Sequence, residues 1–281
     1  MNVNDFEMIA RLLKERSGLL LGQDKAYLLE SRLNPVARQY NFKGFDELAQ
    51  AIRLGKDEKL LEDVTEAMTT NESFFFRDSK PFDQFRDMVL PHLLEHRVSR
   101  KSIKVWCAAC SSGQEPYSLA MILKENEARL AGWKIEIFAT DISREMLVKS
   151  KEGRYSQFEV QRGLPINLMV KYFKQDGDRW QIDDAIRRMV TFKPFNLLDD
   201  PSTIGQCDVV FCRNVLIYLD QVMKSKVLAR IAKIMPPDGF LYLGGAETVL
   251  GISDDFKLIP GHRGVYGLAG DVGHPMATAV G

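Results

Sequence analysis

One stretch of sixteen residues constrains the fold of this chain more than any other part of the sequence. Residues 105–120 read V-W-C-A-A-C-S-S-G-Q-E-P-Y-S-L-A, so an apolar run gives way to small residues, then to Gly113, and then to residues that can open a helix. Pro116 suits the first helical turn, where its missing N–H costs no hydrogen bond. The pattern predicts a strand, a tight turn and a helix, which together let a ligand approach backbone amides.

A second predicted strand follows that helix. Residues 133–142 read W-K-I-E-I-F-A-T-D-I and place Asp141 at the end of the strand. A carboxylate there is suited to the two ribose hydroxyls of a bound nucleotide in a doubly wound α/β sheet. Dinucleotide sites usually show G-x-G-x-x-G, whereas this turn has Gly113 alone. The sequence therefore favours S-adenosylmethionine, which needs no pyrophosphate cradle, over NAD.

Length and charge set broad limits on the class of protein. A chain of 281 residues can bury a full α/β core and still hold a second, smaller domain. Its 38 basic and 38 acidic residues balance, so nothing global indicates nucleic acid. The N-terminal residues M-N-V-N-D-F-E do not resemble a signal peptide, and no apolar run approaches the roughly 20 residues of a membrane span. A cytoplasmic protein without membrane insertion is expected.

The cysteines and paired histidines do not predict a metal site. Cys107 and Cys110 form C-x-x-C, but the second pair is C-x-x-x-x-C and has no histidine nearby. All four cysteines lie in or beside predicted strands and are expected to be buried free thiols: Cys107, Cys110, Cys207 and Cys212. His92 and His96 are spaced for one helix face, yet no third ligand accompanies them, so surface histidines are expected.

Residues 1–75 are predicted to form an all-α N-terminal bundle, because apolar residues recur there at helical spacing. Its charge is uneven. From Arg11 to Lys43 there are seven basic and three acidic residues, whereas from Gly44 to Thr70 there are three basic and seven acidic residues. The basic part either is ordinary solvated surface or docks an acidic partner, and Arg32 and Arg38 are the candidate contacts.

The bundle ends in T-T-N-E-S-F-F-F-R-D, residues 69–78, where short polar groups stand beside three aromatic residues. Asn71 and Ser73 there can grip a small polar ligand. A region of short strands is expected at about 155–190, with strands at 180–182 and 187–190 and a hairpin turn in K-Q-D-G-D-R. The α/β alternation then resumes to residue 268, and a disordered tail is predicted for 269–281.

In motif order, the chain resembles the CheR family of bacterial chemotaxis receptor methyltransferases. The resemblance runs from about residue 5 to 268 and rests on T-T-N-E-S-F-F-F-R, A-A-C-S-S-G-Q-E-P-Y-S, A-T-D-I, G-x-Y, N-L-L, F-C-R-N-V-L-I-Y and P-P-D-G. It implies an all-α receptor-docking domain at 1–75. It also implies a doubly wound, Rossmann-like methyltransferase domain at 76–268, with a small antiparallel β insert. The implied reaction is methyl transfer from S-adenosyl-L-methionine to glutamate side chains of methyl-accepting chemotaxis receptors, leaving S-adenosyl-L-homocysteine.

The resemblance also implies roles for individual residues. The expected cofactor-binding residues are Asn71, Ser73, Arg77, Glu115, Asp141, Asn196, Leu197, Asn214 and Val215. A glutamate substrate is already ionised near neutral pH, so the reaction requires alignment rather than a general base. Arg77 and Tyr218 are therefore the expected catalytic residues, orienting the substrate or the methionine end of the cofactor.

The expected partner is the cytoplasmic coiled-coil domain of such receptors, bound by a monomeric enzyme. In the resembled family the β insert can pair with a C-terminal receptor pentapeptide, and members that do so carry a longer loop between the inserted strands. The K-Q-D-G-D-R turn is short, so dependence on a pentapeptide tether is not expected. Two other functions stay open, namely an NAD-dependent oxidoreductase and a cofactor-binding, receptor-binding regulatory module without turnover.

Overall fold

The computed structural model of this chain describes residues 3–270, and its contacts separate two compact units. The helical unit contains the residues up to Thr70 together with Tyr218–Lys224, and the sheet unit contains Asn71–Ile217 and the residues from Ser225 onwards. The sequence analysis predicted that the helical domain ends at residue 75, whereas the boundary between the two units lies after Thr70. Of the predicted tail, 271–281 lies outside the described residues.

Four α-helices and a short 3₁₀ turn build the helical unit. Their bounds are Val3–Ser17 (α1), Gln23–Lys25 (3₁₀), Ala26–Gln39 (α2), Phe45–Leu54 (α3) and Glu58–Ala67 (α4). The apolar positions that predicted these helices, such as Ile9, Leu33 and Val64, are fully buried in one core. Asp57 caps the start of α4 by accepting the Leu60 N–H, and Gly55 ends α3 in the left-handed conformation.

Arg32 has a structural position inside this unit. Its guanidinium donates to the carbonyl oxygens of Met68 at 2.8 Å and Thr69 at 2.9 Å, just beyond the end of α4. Carbonyls at a helix end lack partners within the helix, so a cation that binds them ties α2 to the end of α4. Arg38, in contrast, is exposed on α2.

The sheet unit contains a seven-stranded sheet and a separate three-stranded sheet. The strands are Ser102–Ala108 (β1), Lys134–Asp141 (β2), Arg154–Ser156 (β3), Phe173–Asp176 (β4), Arg179–Ile182 (β5), Val190–Pro194 (β6), Val209–Cys212 (β7), Phe240–Leu243 (β8), Phe256–Leu258 (β9) and Val265–Leu268 (β10). The large sheet has the order β6-β2-β1-β7-β8-β10-β9. Its first five strands run parallel, and β10 and β9 are antiparallel to their neighbours.

Helices cover this sheet and connect its strands. Their bounds are Lys80–Gln84 (α5), a π-helical turn Phe85–Val89, Leu90–His96 (α6), Gln114–Glu125 (α7), Arg144–Glu152 (α8), Gln157–Gln161 (α9), Ile166–Tyr172 (α10), Asp184–Arg187 (α11), Pro201–Ile204 (3₁₀), Leu216–Tyr218 (3₁₀) and Gln221–Lys233 (α12). The predicted fold class is confirmed, because a doubly wound sheet with a small antiparallel insert follows an all-α N-terminal part.

The order of the strands decides where a ligand can bind. β1 pairs with β2 on one side and with β7 on the other, so β1 lies inside the sheet and the strand order reverses next to it. The carboxyl ends of parallel strands meet at one edge, and a crevice opens there where the strand order reverses. The turn after β1, Asp141 at the end of β2 and the residues after β7 therefore share that edge, which we call the ligand edge.

The small insert matches the predicted hairpin but not every predicted strand. β4 and β5 pair antiparallel up to Asp176 and Arg179, so Gly177 and Asp178 form the turn in K-Q-D-G-D-R as predicted. The strand predicted at 187–190 is wrong. Asp183 instead caps the short helix α11 by accepting the Ala185 N–H, and Val190 begins a strand of the large sheet. The strand β9, only three residues long, was not predicted.

Two expectations about the sulfur and imidazole side chains have opposite outcomes. All four cysteines are buried and free, as predicted. His92 is buried rather than on the surface, because its ring stacks on His96 at 4.0 Å and meets the edge of Phe240 at 5.4 Å. Within residues 3–270, no helix has the length and apolarity that spanning a membrane requires.

A buried ion network joins α6 to the strands of the large sheet. Arg97 donates to the Asp208 carboxylate at 2.9 Å and to both oxygens of Asp238 at 2.5 and 2.6 Å. Asp208 also accepts the backbone N–H of Lys104 at 2.9 Å. The hydrogen bonds from Arg97 lower the pKa of Asp238. Removal of one member of such a network leaves buried charge without compensation.

We expect Arg97→Met to destabilise the sheet unit by about 3–5 kcal/mol, because the carboxylates of Asp208 and Asp238 lose their shared cation. Urea unfolding monitored by tryptophan fluorescence measures this loss of stability. The signal reports on the sheet unit, because Trp106, Trp133 and Trp180 all belong to it. Arg86→Met is the matched control, because Arg86 pairs with Asp87 at a half-exposed position and should contribute about 1 kcal/mol or less.

The pH dependence gives a second check of the same contact. A carboxyl group with a lowered pKa stabilises the folded state above its unfolded pKa, and this stabilisation is lost as the pH falls through the folded value. Acidification should therefore destabilise the wild type more than Arg97→Met. Equal losses in the two proteins, or equal costs for the variants at Arg97 and Arg86, would contradict the assignment.

Candidate functional site

The turn after β1 holds its backbone in an unusual conformation. Ala109, Ser111 and Gly113 have φ values of 59°, 49° and 92°, all in the left-handed region. A Cβ at Gly113 would lie 2.8 Å from the Cβ of Ser150, so only glycine fits there. Strain of this kind persists where the surroundings fix the backbone, and it is concentrated at functional sites.

Asp141 fixes this turn from the neighbouring strand. Its buried carboxylate accepts the Ser111 N–H at 2.7 Å through one oxygen and the Ser143 N–H at 2.9 Å through the other. The carbonyl oxygen of Asp141 accepts the N–H of Phe195, at the end of β6, at 3.0 Å. Each carboxylate oxygen can accept more than one hydrogen bond, so this group could also accept from a ligand hydroxyl.

Glu115 lies at the start of α7, where its carboxylate accepts from the guanidinium of Arg213 at 3.0 Å. Burial raises the pKa of Glu115 above its ordinary value of 4.5, and the charge of Arg213 opposes that rise. Arg213 is itself buried, and it also donates to the carbonyl of Arg77 at 3.0 Å and to the Asp78 carboxylate at 2.7 Å. One guanidinium thus connects the helix start to the 71–78 segment.

The 71–78 segment is held over the turn by hydrogen bonds and by an aromatic anchor. The Ser111 hydroxyl donates to the carbonyl of Asn71 at 2.9 Å, and the Phe76 N–H donates to the Ser118 hydroxyl at 3.0 Å. Phe75 is fully buried, with its ring edge-on to Tyr155 at 5.0 Å. These contacts explain why the compact sheet unit begins at Asn71.

Arg77 and Ser73 are half-buried in this segment. The Arg77 guanidinium donates to the carbonyl of Glu72 at 3.0 Å and lies 5.2 Å from the centre of the Phe74 ring. Arg162, from the insert, contacts the same two residues, at 4.3 Å from the Phe74 ring and 2.6 Å from the Glu72 carboxylate. Two guanidinium groups therefore share one aromatic ring beside the ligand edge.

Two loops complete the site. After β6, the Asn196 side-chain oxygen accepts the Leu198 N–H at 3.0 Å, which folds the loop around the half-buried Leu197. After β7, Asn214 has a left-handed φ of 58°, and the N–H groups of Asn214 and Val215 point to the Glu247 carboxylate at 2.8 and 2.9 Å. All nine predicted cofactor-binding residues therefore belong to the sheet unit.

Comparison with known families gives the class of this site. Residues 71–265 match the CheR methyltransferase SAM binding domain, and residues 4–69 match the CheR methyltransferase all-alpha domain. This chain belongs to the CheR family. The match confirms the prediction of S-adenosylmethionine as cofactor.

Curated relatives extend this result over most of the chain. The chain is 40% identical over 265 residues to chemotaxis protein methyltransferase Cher2 of Pseudomonas putida, and the alignment covers 93% of this chain and 96% of that one. It is also 40% identical to chemotaxis protein methyltransferase 1 of Pseudomonas aeruginosa, with the same coverage. A chemotaxis protein methyltransferase of Vibrio parahaemolyticus is 38% identical over 93% of this chain and 95% of its own.

The residues of the ligand edge fit this cofactor. S-adenosylmethionine carries a ribose diol, a sulfonium and an ammonium group, so it needs hydrogen-bond acceptors and negative charge. The Asp141 carboxylate could accept the diol, and the Glu115 carboxylate could meet a cationic group. The turn at Ser111 and Gly113 is left-handed and has small side chains, a combination that allows close approach of a ligand to the backbone.

The structure does not group Tyr218 with the other predicted residues. It belongs to the helical unit, where its carbonyl oxygen accepts the Leu20 N–H at 2.9 Å beside the bridge between Leu19 and Leu219. Its proposed catalytic role therefore rests on the resemblance alone.

Sequence reasoning missed two charged residues of this CheR site. Arg213 follows the apolar strand V-V-F-C directly, and a charge at the end of a buried strand requires a partner, so the signal was present. Glu247 gave no comparable signal, because its partners are backbone N–H groups.

We expect Asp141→Ala to weaken binding of S-adenosylhomocysteine by about 1–3 kcal/mol, because the ribose hydroxyls lose a charged acceptor and the Ser111 N–H loses its partner. Isothermal titration calorimetry measures the change in dissociation constant. Asp178→Ala, at the exposed hairpin turn, is the control and should bind like the wild type. Unchanged affinity in a folded Asp141→Ala protein would reject the assignment.

Proposed function

We propose that this CheR protein transfers the methyl group of S-adenosylmethionine to glutamate side chains of methyl-accepting chemotaxis receptors, forming 5-O-methyl esters in the cytoplasm. The observation that carries the proposal is the ligand edge, where Asp141, Glu115 and the 71–78 segment converge on the turn after β1. The relatives named chemotaxis protein methyltransferase support the biological setting.

The proposed chemistry requires no proton transfer. A glutamate side chain with an ordinary pKa near ~4.3 is ionised at neutral pH and is already a nucleophile. When S-adenosylmethionine is bound it supplies an electrophilic methyl group, and the methyl transfer neutralises the charges of both reactants. The protein must therefore align the carboxylate and exclude water, since water stabilises the separated charges more than the transition state.

Arg77 is proposed to orient the reacting groups. Its backbone carbonyl is held by the buried Arg213, and its side chain is stacked beside Phe74, so the guanidinium has a restricted range of positions. A preoriented cation can bind a carboxylate with a defined geometry. Tyr218 is retained as a second orienting residue on the basis of the family resemblance.

A regulatory module without turnover is the alternative function, and a methyl transfer assay separates the two. S-adenosylmethionine labelled on the methyl group is incubated with receptor-containing membranes, and ester formation is detected as methanol released by mild base. Base-labile label in the receptor band supports the proposal. Cofactor binding without any label on the receptor would favour the regulatory module.

In this assay we expect Arg77→Ala to lower turnover about 10-fold or more at saturating cofactor, because alignment contributes several kcal/mol to such a transfer. Tyr218→Phe should lower it less, since only the hydroxyl is lost. Arg162→Ala is the matched comparison, because it removes an equivalent contact with Phe74. Wild-type turnover in Arg77→Ala would exclude the role, and equal losses at Arg77 and Arg162 would indicate general loosening of Phe74.

Receptor docking is proposed for the basic part of the helical unit, whose exposed cations could meet the acidic methylation helices. Arg32 is not a suitable test residue, because it binds the carbonyl oxygens after α4. Arg38 is exposed and makes no ion pair within the part of the chain that the structure describes. It is therefore the better of the two candidates that the sequence suggested.

We expect Arg38→Glu to raise the Michaelis constant for the receptor severalfold and to reduce its dependence on salt, because a favourable long-range charge becomes unfavourable. The dissociation constant of the cofactor should not change. Lys56→Glu makes the same charge change at another exposed position of the helical unit and is the control. Equal effects of the two variants would point to net charge rather than to a docking surface.

We also propose that the receptor is recognised by a monomer and without a pentapeptide tether. β4 is an edge strand of the insert and could accept an added strand, but the two-residue turn at Gly177 and Asp178 offers little surface for side-chain pockets. Titration of the peptide N-W-E-T-F should give no measurable heat. A micromolar dissociation constant would instead place receptor tethering at the insert.

A further inference from the structure

We propose that Glu247 is a positioning residue for the cofactor site. Its carboxylate accepts four backbone N–H groups from two separate loops. They belong to Asn214 at 2.8 Å, Val215 at 2.9 Å, Ile217 at 3.3 Å and Gly244 at 2.6 Å. The first three lie in the loop after β7, and the fourth follows β8, so one side chain holds two neighbouring strand ends together.

The conformation of Asn214 depends on this arrangement. Asn214 has a left-handed φ of 58°, which costs energy for a residue with a Cβ. Without Glu247, the N–H groups of the half-buried Asn214 and Val215 would need water or another acceptor. Hydrogen bonds to an ionised acceptor are stronger than those between neutral groups, so this carboxylate can stabilise the strained loop.

The packing around Gly244, in the loop after β8, also indicates that the two loops are held close together. A Cβ at this position would lie 2.7 Å from the Asn214 side-chain nitrogen, 2.9 Å from the Asn214 backbone nitrogen and 2.7 Å from a Glu247 oxygen. The absence of a side chain at Gly244 lets the two loops approach each other. The approach brings the Asn214 amide and the Glu247 carboxylate together at the ligand edge.

The hydrogen-bond partners of Glu247 leave its negative charge in place, which suits a carboxylate near a cationic cofactor. Burial raises the pKa of Glu115, and the charge of Glu247 adds to that rise, so the two carboxylates are close enough to interact. Among residues 3–270, Glu247 accepts its hydrogen bonds from neutral N–H groups, whereas Glu115 is paired with Arg213. Glu247 can thus order the loop while its negative charge remains available to favour a bound cation.

This inference rests on the proposed cofactor contacts of Asn214 and Val215, but it does not depend on the identity of the methyl acceptor. The test is therefore cofactor binding, measured by calorimetry with S-adenosylhomocysteine. Glu247→Gln keeps the shape of the side chain but replaces one accepting oxygen with a donor. We expect it to raise the dissociation constant about 10-fold, which corresponds to the loss of one or two such hydrogen bonds.

Hydrogen exchange of the backbone distinguishes positioning from general stability. In Glu247→Gln the amides of residues 214–217 and 244 should exchange faster, while the amides of β1 and β2 keep their protection. The Michaelis constant for S-adenosylmethionine should rise more than turnover falls. Glu247→Asp, whose shorter carboxylate keeps the charge, should recover part of the affinity. Asp183→Asn, which alters another carboxylate that accepts a backbone N–H, is the control and should bind normally.

Two further variants keep the test decisive. Gly244→Ala should raise the same dissociation constant by pushing Asn214 and the Glu247 carboxylate away while the charge of Glu247 is kept, so it tests the loop even if Glu247→Gln folds poorly. Asn214→Ala tests the cofactor contact on which the inference rests. If Asn214→Ala weakens binding and Glu247→Gln does not, the positioning role is overturned while the proposed contact stands. If neither variant weakens binding, both are overturned.

Discussion

The hydrogen bond from the Ser111 N–H to the Asp141 carboxylate is the contact on which the ligand edge depends. It joins the ends of two adjacent parallel strands, and it fixes a turn in which Ala109 and Ser111 both have positive φ. Each such residue costs of order 1 kcal/mol or more, so the turn needs support from outside. The buried carboxylate supplies that support, and the Cys110 N–H adds a bond of 2.8 Å to the Thr140 carbonyl.

The same edge has a consistent electrostatic design. Asp141 accepts two backbone N–H groups and Glu247 accepts four, so backbone amides help to stabilise both buried carboxylates. Glu115 is paired with an arginine, Arg213. Backbone amides lower the cost of burying an anion but leave its charge in place. An edge built in this way suits a ligand with positive charge, as S-adenosylmethionine has.

The elements predicted well from sequence were those whose pattern is local. The strands β7 and β8 are continuous apolar runs, the helices have regular apolar spacing, and the hairpin has a two-residue turn with glycine. The strand expected at 187–190 failed because Asp183 starts a short helix, and a single capping residue outweighed weak strand propensity. His92 was misplaced because its burial depends on Phe240, which is remote in sequence.

The sequence predicted the candidate site residues that belong to recognisable motifs. The strand pattern correctly placed Asp141 at the end of β2, and the family motif predicted that the 71–78 segment belongs to the same site. Glu247 could not be found, because its carboxylate binds backbone amides in the part of the chain that the structure describes, and such partners leave no complementary charge in the sequence. Side chains that bind backbone amides are therefore missed when a site is predicted from sequence motifs. They can nevertheless order the loops that carry the motif residues.

Net charge in the helical unit illustrates the same limit. Seven basic residues against three acidic ones indicated a docking surface over residues 11–43. Several of these cations are already engaged within the unit: Lys14 with Asp220, Arg16 with Glu58, Lys43 with Glu47, and Arg32 with carbonyl oxygens. Arg11, Lys25 and Arg38 are exposed and have no ion pair among residues 3–270. A partner with acidic helices would therefore be attracted by only a few exposed cations. The positions of these cations on the surface matter more than the net charge of residues 11–43.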